Sequence, residues 1–155
     1  MIFDPENNIV RLCAEGMASE GFGQMEKAKA LFEQAWNEAQ TDFEKFTAAH
    51  FVARHQHDTK GKLQWDETAL EMALKINHER MKASYPSLYL NIGKCHEDLE
   101  TFPQAETYYK LAYDHLDFLP DDGYGQMIRS GVLAGIERMN NKLQNPSAYK
   151  IVSPH

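Results

Sequence analysis

A chain of 155 residues, 43% hydrophobic and 25% charged, has enough apolar material for a buried core and the charge content of an ordinary globular protein. Its net charge of −7 is uneven, −6 over residues 1–44, +2 over 45–82 and −3 over 83–155. Phosphate backbones are held by clustered Lys and Arg, so this balance argues against nucleic acid as a partner. A protein or peptide partner, and a basic one above all, is electrostatically easier.

Asp4-Pro5-Glu6 carries helix-start signals, and in "NNIVRLCAEGMASEG" Ile9, Leu12, Cys13, Gly16 and Met17 recur at the spacing of a helix face. Gly21-Phe22-Gly23 breaks the pattern. A second helix follows in "QMEKAKALFEQAWNEAQ", with Met25, Ala28, Leu31, Phe32, Ala35 and Trp36 on one side. Thr41-Asp42 caps a third, predicted over Phe43 to His57. "DTKGK" reads as a break, and "LQWDETALEMALKI" as the fourth helix. A fifth is predicted over Pro86 to Leu99, a sixth over Phe102 to Phe118, and a seventh from Asp121-Asp122 to Asn140. The tail "NKLQNPSAYKIVSPH" has two prolines and no period. The expected organisation is one helical domain over residues 1–140 and an irregular tail over 141–155.

Cys13 and Cys95 are not a CxxC pair and make no disulfide framework. "MIFDPENN" has neither a basic nor an apolar run, and no stretch of about 18 apolar residues occurs. No signal peptide, no membrane contact and a cytoplasmic location are therefore expected.

Internal similarity is the strongest signal. Shifted by 77 residues, "LCAEGMASEGFGQMEKAKALFEQA" (12–35) lies over "YLNIGKCHEDLETFPQAETYYKLA" (89–112). Gly16 meets Gly93, Met25 meets Phe102, Ala28 meets Ala105, Phe32 meets Tyr109 and Ala35 meets Ala112. Small residues fall where two helices touch closely, and aromatics where the pair needs filling. The spacing resembles the tetratricopeptide repeat. The resemblance covers roughly residues 8–118 and implies an all-α, antiparallel helix-hairpin solenoid of about three repeats with a C-terminal capping helix at 121–140. A degenerate middle repeat then lies at about 42–78. Ala69 stands as its second-helix alanine, and Ala49 or His50 takes its first-helix small position.

The resemblance also implies a concave face that holds a peptide or partner helix, lined by each repeat's first helix. Carried onto this chain, the groove residues are Cys13, Met17 and Glu20 (with Val10), His50 and Arg54, and Leu90, Asn91 and Lys94 (with Ser87 and Glu97). Asn91 stands where chaperone-binding members hold a peptide's terminal carboxylate. Cys13 and Met17, however, replace the lysine and asparagine which that clamp requires.

"HFVARHQHD" raises a metal site as the alternative, a hydrolase-like centre around His50, His55, His57 and Asp58. On a helix His55 and His57 diverge by about 200°, and His50 and His57 stand about 10 Å apart along the axis. Neither pair suits one ion held about 2 Å from each nitrogen. In "LPDDGYGQM" the aspartates would repel phosphate, and helix capping is the simpler reading. Trp36, Trp65, Phe43, Phe46, Tyr108 and Tyr109 recur at helical spacing and read as core. The expectation is a non-catalytic protein-binding adaptor without metal or cofactor, with a self-associating scaffold as a further alternative.

Overall fold

The computed structural model describes residues 4–144. It is all-helical, as the apolar spacing predicts, with no strand among the described residues. The first helix begins later than Asp4-Pro5-Glu6 suggests. Asp4 accepts from the Glu6 amide in a turn, and Asn7 caps the helix by accepting from the amides of Ile9 and Val10. α1 spans Asn8–Gly21 and α2 Met25–Glu38. Thr41 caps α3 (Asp42–Ala53), its hydroxyl accepting from the Glu44 amide. The predicted extension of α3 to His57 does not form, because the next helix begins at once. Asp58 accepts from the Gly61 amide at 2.7 Å and starts α4 at Thr59. "DTKGK" therefore holds the cap and first turn of α4 (Thr59–Lys75) rather than a break.

A 3-10 turn, Glu79–Ser84, leads to α5 (Tyr85–Asp98), with Pro86 in the first turn, where its missing N–H costs nothing. α6 (Phe102–Asp114) stops before the predicted Phe118. His115 leaves the helix with Nδ1 on the Leu111 carbonyl, and Leu116–Phe118 is a 3-10 turn. Asp122 accepts from the Gly125 amide at 2.8 Å, the cap expected for α7 (Gly123–Gln144), which continues past Asn140. Of the tail expected to be irregular, 141–144 are helical and 145–155 lie outside the described residues. No described helix is long and apolar enough to cross a membrane.

The chain divides into two compact units, one ending at Met81 and the other beginning at Lys82. In the first, α2 packs on α1 and α3, α1 also touches α3, and α4 pairs with α3. Ile9, Cys13, Ala28, Phe32, Ala35, Ala48 and Val52 form its core, with Phe51, Trp36 and Trp65 packed against it. In the second, α6 packs on α5 and α7, and α5 also touches α7. Leu88, Ile92, Tyr109, Val132 and Met139 are closed from solvent there. Each fully buried Phe or Leu of this kind contributes about 1.5–3 kcal/mol over an exposed one.

The α1–α2 and α5–α6 hairpins share two backbone bonds at their turns. The Gln24 amide reaches the Ser19 carbonyl at 2.8 Å, and the Thr101 amide reaches that of His96 at 2.9 Å. The Gly23 amide bonds the Glu20 carbonyl at 2.9 Å, and the Glu100 amide that of Glu97 at 3.0 Å. Gly23 has φ +76°, and at the matching place Glu100 takes φ 62°, a left-handed conformation that disfavours a residue with a Cβ. Beyond the turns, Ala28, Phe32 and Ala35 are wholly buried, as are Ala105, Tyr109 and Ala112. A Cβ on Gly16 would run into the Phe32 ring, and one on Gly93 would come 2.8 Å from the Tyr109 ring. The sequence pairs Gly16/Phe32 and Gly93/Tyr109 are thus two copies of one close helix contact. The α3–α4 hairpin occupies the stretch assigned to the middle repeat. Within it Ala49 and Ala69 are fully buried, and His50 is half-buried.

Candidate functional site

The last turn of the first helix in each corresponding hairpin carries an acid one residue before its end, Glu20 in α1 and Glu97 in α5. Both carboxylates are largely shielded, and each is met by basic side chains from a third helix or its end. In the first unit Arg54 Nη2 donates to Glu20 Oε2 at 2.7 Å, and His55 Nε2 lies 2.7 Å from Glu20 Oε1. A carboxylate only accepts, so Nε2 carries the proton in that contact. Phe51 stacks on the buried Phe32 ring at 4.9 Å, His55 approaches the same ring at 5.4 Å, and the Arg54 guanidinium sits 5.4 Å over Phe51. Arg54 is thereby held by an acid and a ring while nearly half its side chain remains open to solvent.

The second unit makes the same attachment more tightly. Arg138 of α7 donates to both Glu97 oxygens, Nε at 2.8 Å and Nη2 at 2.9 Å, in a bidentate pair. The Tyr109 hydroxyl donates to Glu97 Oε1 at 2.6 Å, and the Lys142 ammonium stands 3.7 Å from Oε2. Burial alone would raise the Glu97 carboxyl. The hydrogen bonds from Arg138 and Tyr109 and the charges of Arg138 and Lys142 outweigh it and hold the group below the ordinary carboxylate range. Burial, then the Glu97 carboxylate, pushes the Tyr109 hydroxyl up, so it stays a donor. Glu97 therefore clamps α7 to the hairpin; it is a structural acid.

The sequence-derived groove residues divide by exposure. Cys13 and Leu90 are core residues, and burial pushes the Cys13 thiol up to about 11. Leu90 packs where a Cβ on Gly131 of α7 would meet it at 3.3 Å. Met17 is 44% exposed on α1, one turn before Glu20. Arg54 and Lys94 are exposed, and Asn91, Val10 and Ser87 are half-buried. His50 meets the Phe51 ring edge-on at 5.3 Å. Its imidazole is held below the usual histidine range, first by burial, while Asp66 opposes that shift and Arg54 and Lys62 add to it. It is a neutral, partly covered imidazole at pH 7.

The histidine stretch does not converge. His55 serves Glu20, Asp58 caps α4, and His57 is exposed beyond the end of α3. Among the described residues no group of three or more His, Cys, Asp or Glu is placed to hold a metal ion. The residue types were right for a metal site; the chain reversal between Ala53 and Thr59 separates them.

Two features went unread in the sequence. The shared anchoring acid was visible as Glu20 and Glu97 at the same 77-residue offset. Its partners come from distant helices and leave no local pattern. Trp36 and Trp65, read as core, line an open cleft. No protein-family model, curated protein or solved structure matches this chain.

Proposed function

We propose that the chain is a non-catalytic binding module of tetratricopeptide type, an adaptor that holds a peptide or protein segment on the face presented by its first helices. In the first unit that face belongs to α1 and α3, which lie side by side with α2 packed on both. The observation that carries the reading is the exposed Met17 one turn from the Glu20–Arg54 pair. An adaptable apolar side chain thus stands on the same α1 stripe as Glu20, the acid that fixes the half-exposed Arg54 guanidinium from the end of α3. Met17 would supply burial, and Arg54 would offer its free donors to a carboxylate or backbone carbonyl of the bound segment. Within the second unit, taken by itself, Asn91 and Lys94 of α5 would make polar contacts of their own. Recurrence of the same hairpin at residues 85–114, with its turn bonds and glycine–aromatic contact preserved, supports a repeat scaffold.

The test is affinity capture from a native lysate with wild type and with Met17→Lys/Arg54→Ala, both first checked for equal helicity and melting temperature. A protein retained by wild type and lost with the variant supports the adaptor reading and identifies the partner. Equal capture by both proteins, or capture of nothing but the chain itself, removes this face as the binding surface. The second result would favour a self-associating scaffold.

A further inference from the structure

The two tryptophans of the chain meet edge to face, Trp36 of α2 and Trp65 of α4, with ring centroids 4.9 Å apart and planes at 88°. They line an open cleft of about 340 Å³ together with Glu33, Asn37, Val52 and Gln56. Both indoles are only half-buried, so each ring leaves surface open. Gln56 donates its amide N–H to the Val52 carbonyl at 3.1 Å, which leaves its side-chain oxygen as an acceptor. Glu33 is exposed and makes no ion pair among the described residues; Lys29, one turn earlier on α2, does not reach it. Lys62 on α4 is engaged with Asp66 at 2.6 Å. The cation–ring contacts among the described residues fall on Phe51, Phe118 and Phe102, and none on either tryptophan.

We infer that this cleft is a binding site for the guanidinium of an arginine side chain carried by a partner segment. Indole faces attract cations through the ring quadrupole, and a flat, weakly hydrated guanidinium stacks on them better than an ammonium. The Glu33 carboxylate supplies the countercharge, and the Asn37 and Gln56 oxygens accept the remaining N–H groups. The charge of the two stretches that supply the lining agrees in sum, −6 over residues 1–44 against +2 over residues 45–82. The cleft shares no residue with the face proposed above, so neither assignment depends on the other.

Both tryptophans border the cleft, so the intrinsic fluorescence of the full chain reports occupancy directly. The probes are acetyl-Gly-Arg-Gly-amide and its citrulline counterpart, which has nearly the same shape without the charge, titrated at about 0.05 M salt, where Debye screening is modest. The expected result is a saturable change with the arginine peptide and binding of the citrulline peptide about five-fold weaker or worse. Glu33→Gln, a substitution at an exposed position that leaves the fold intact, should abolish that preference. No saturable change with the arginine peptide, equal binding of both peptides, or an undiminished preference in Glu33→Gln would overturn the assignment.

Discussion

The substitution Glu97→Gln keeps the size of the side chain and removes its charge. In the native unit the carboxylate receives two N–H bonds from Arg138, at 2.8 and 2.9 Å, and the Tyr109 hydroxyl at 2.6 Å. Hydrogen bonds to a charged group contribute about 1.5–3 kcal/mol. Tyr109 retains an acceptor in the glutamine carbonyl, and Arg138 is 46% exposed, so water screens the pair and the lower end applies, about 1.5 kcal/mol. The folded carboxyl lies below its unfolded value of about 4.3. This stabilisation is therefore full above that value, lost as pH falls through the folded value, and absent below both. Urea unfolding at pH 7 and at about pH 2.5 measures the difference between wild type and variant. Both tryptophans precede Met81, so far-UV circular dichroism follows all the helices and tryptophan fluorescence only the first unit. The loss should appear at pH 7 in the dichroism curve and fade at the acid end. A variant as stable as wild type at pH 7, or a deficit undiminished in acid, would refute the clamp.

Three further outcomes are expected. Gly16→Ala should destabilise by about 1–3 kcal/mol through overpacking against the Phe32 ring, whereas Gly21→Ala, with nothing within 4 Å of the new Cβ, should be neutral or stabilising in the same thermal melts. The turn positions should respond with opposite signs: Glu100→Gly should gain about 0.5 kcal/mol by relieving its φ of 62°, and Gly23→Ala should lose about 1 kcal/mol. Cys13, left as the sole thiol by Cys95→Ala, should react with a disulfide reagent at pH 8 on the order of a hundredfold more slowly in the native than in the urea-unfolded chain, because burial pushes it up to about 11.

Helices were legible because their signal is local. The spacing of Ala28, Phe32 and Ala35 recurs at Ala105, Tyr109 and Ala112, and all six are buried. The same offset located the glycine–aromatic contacts. Ends were less legible where two residues competed to cap. Asp4 and Asn7 are both good caps, and Asn7 prevails by reaching two amides. Asp58 and Gly61 look like a loop, yet their mutual bond starts a helix. Of the candidate site, exposure was the unreadable part. Leu90 shares the periodicity of a groove residue but is covered by α7, whose approach at Gly131 no local pattern announces. Tryptophans at helical spacing look the same whether enclosed or at a rim.

Tyr109 has a dynamic consequence. Its Cδ1–Cε1 edge lies against Gly93 of α5 and also against Gly135 of α7, close enough that a Cβ on either would stand 2.8 Å away. Half a rotation of the ring must sweep that edge through space bounded by both helices, while the hydroxyl stays on Glu97. The flip can proceed only when α5 and α7 draw away from α6 together. Its rate, read from the exchange of the paired ring-proton signals in magnetic resonance, is thus a clock for the collective expansion of the unit.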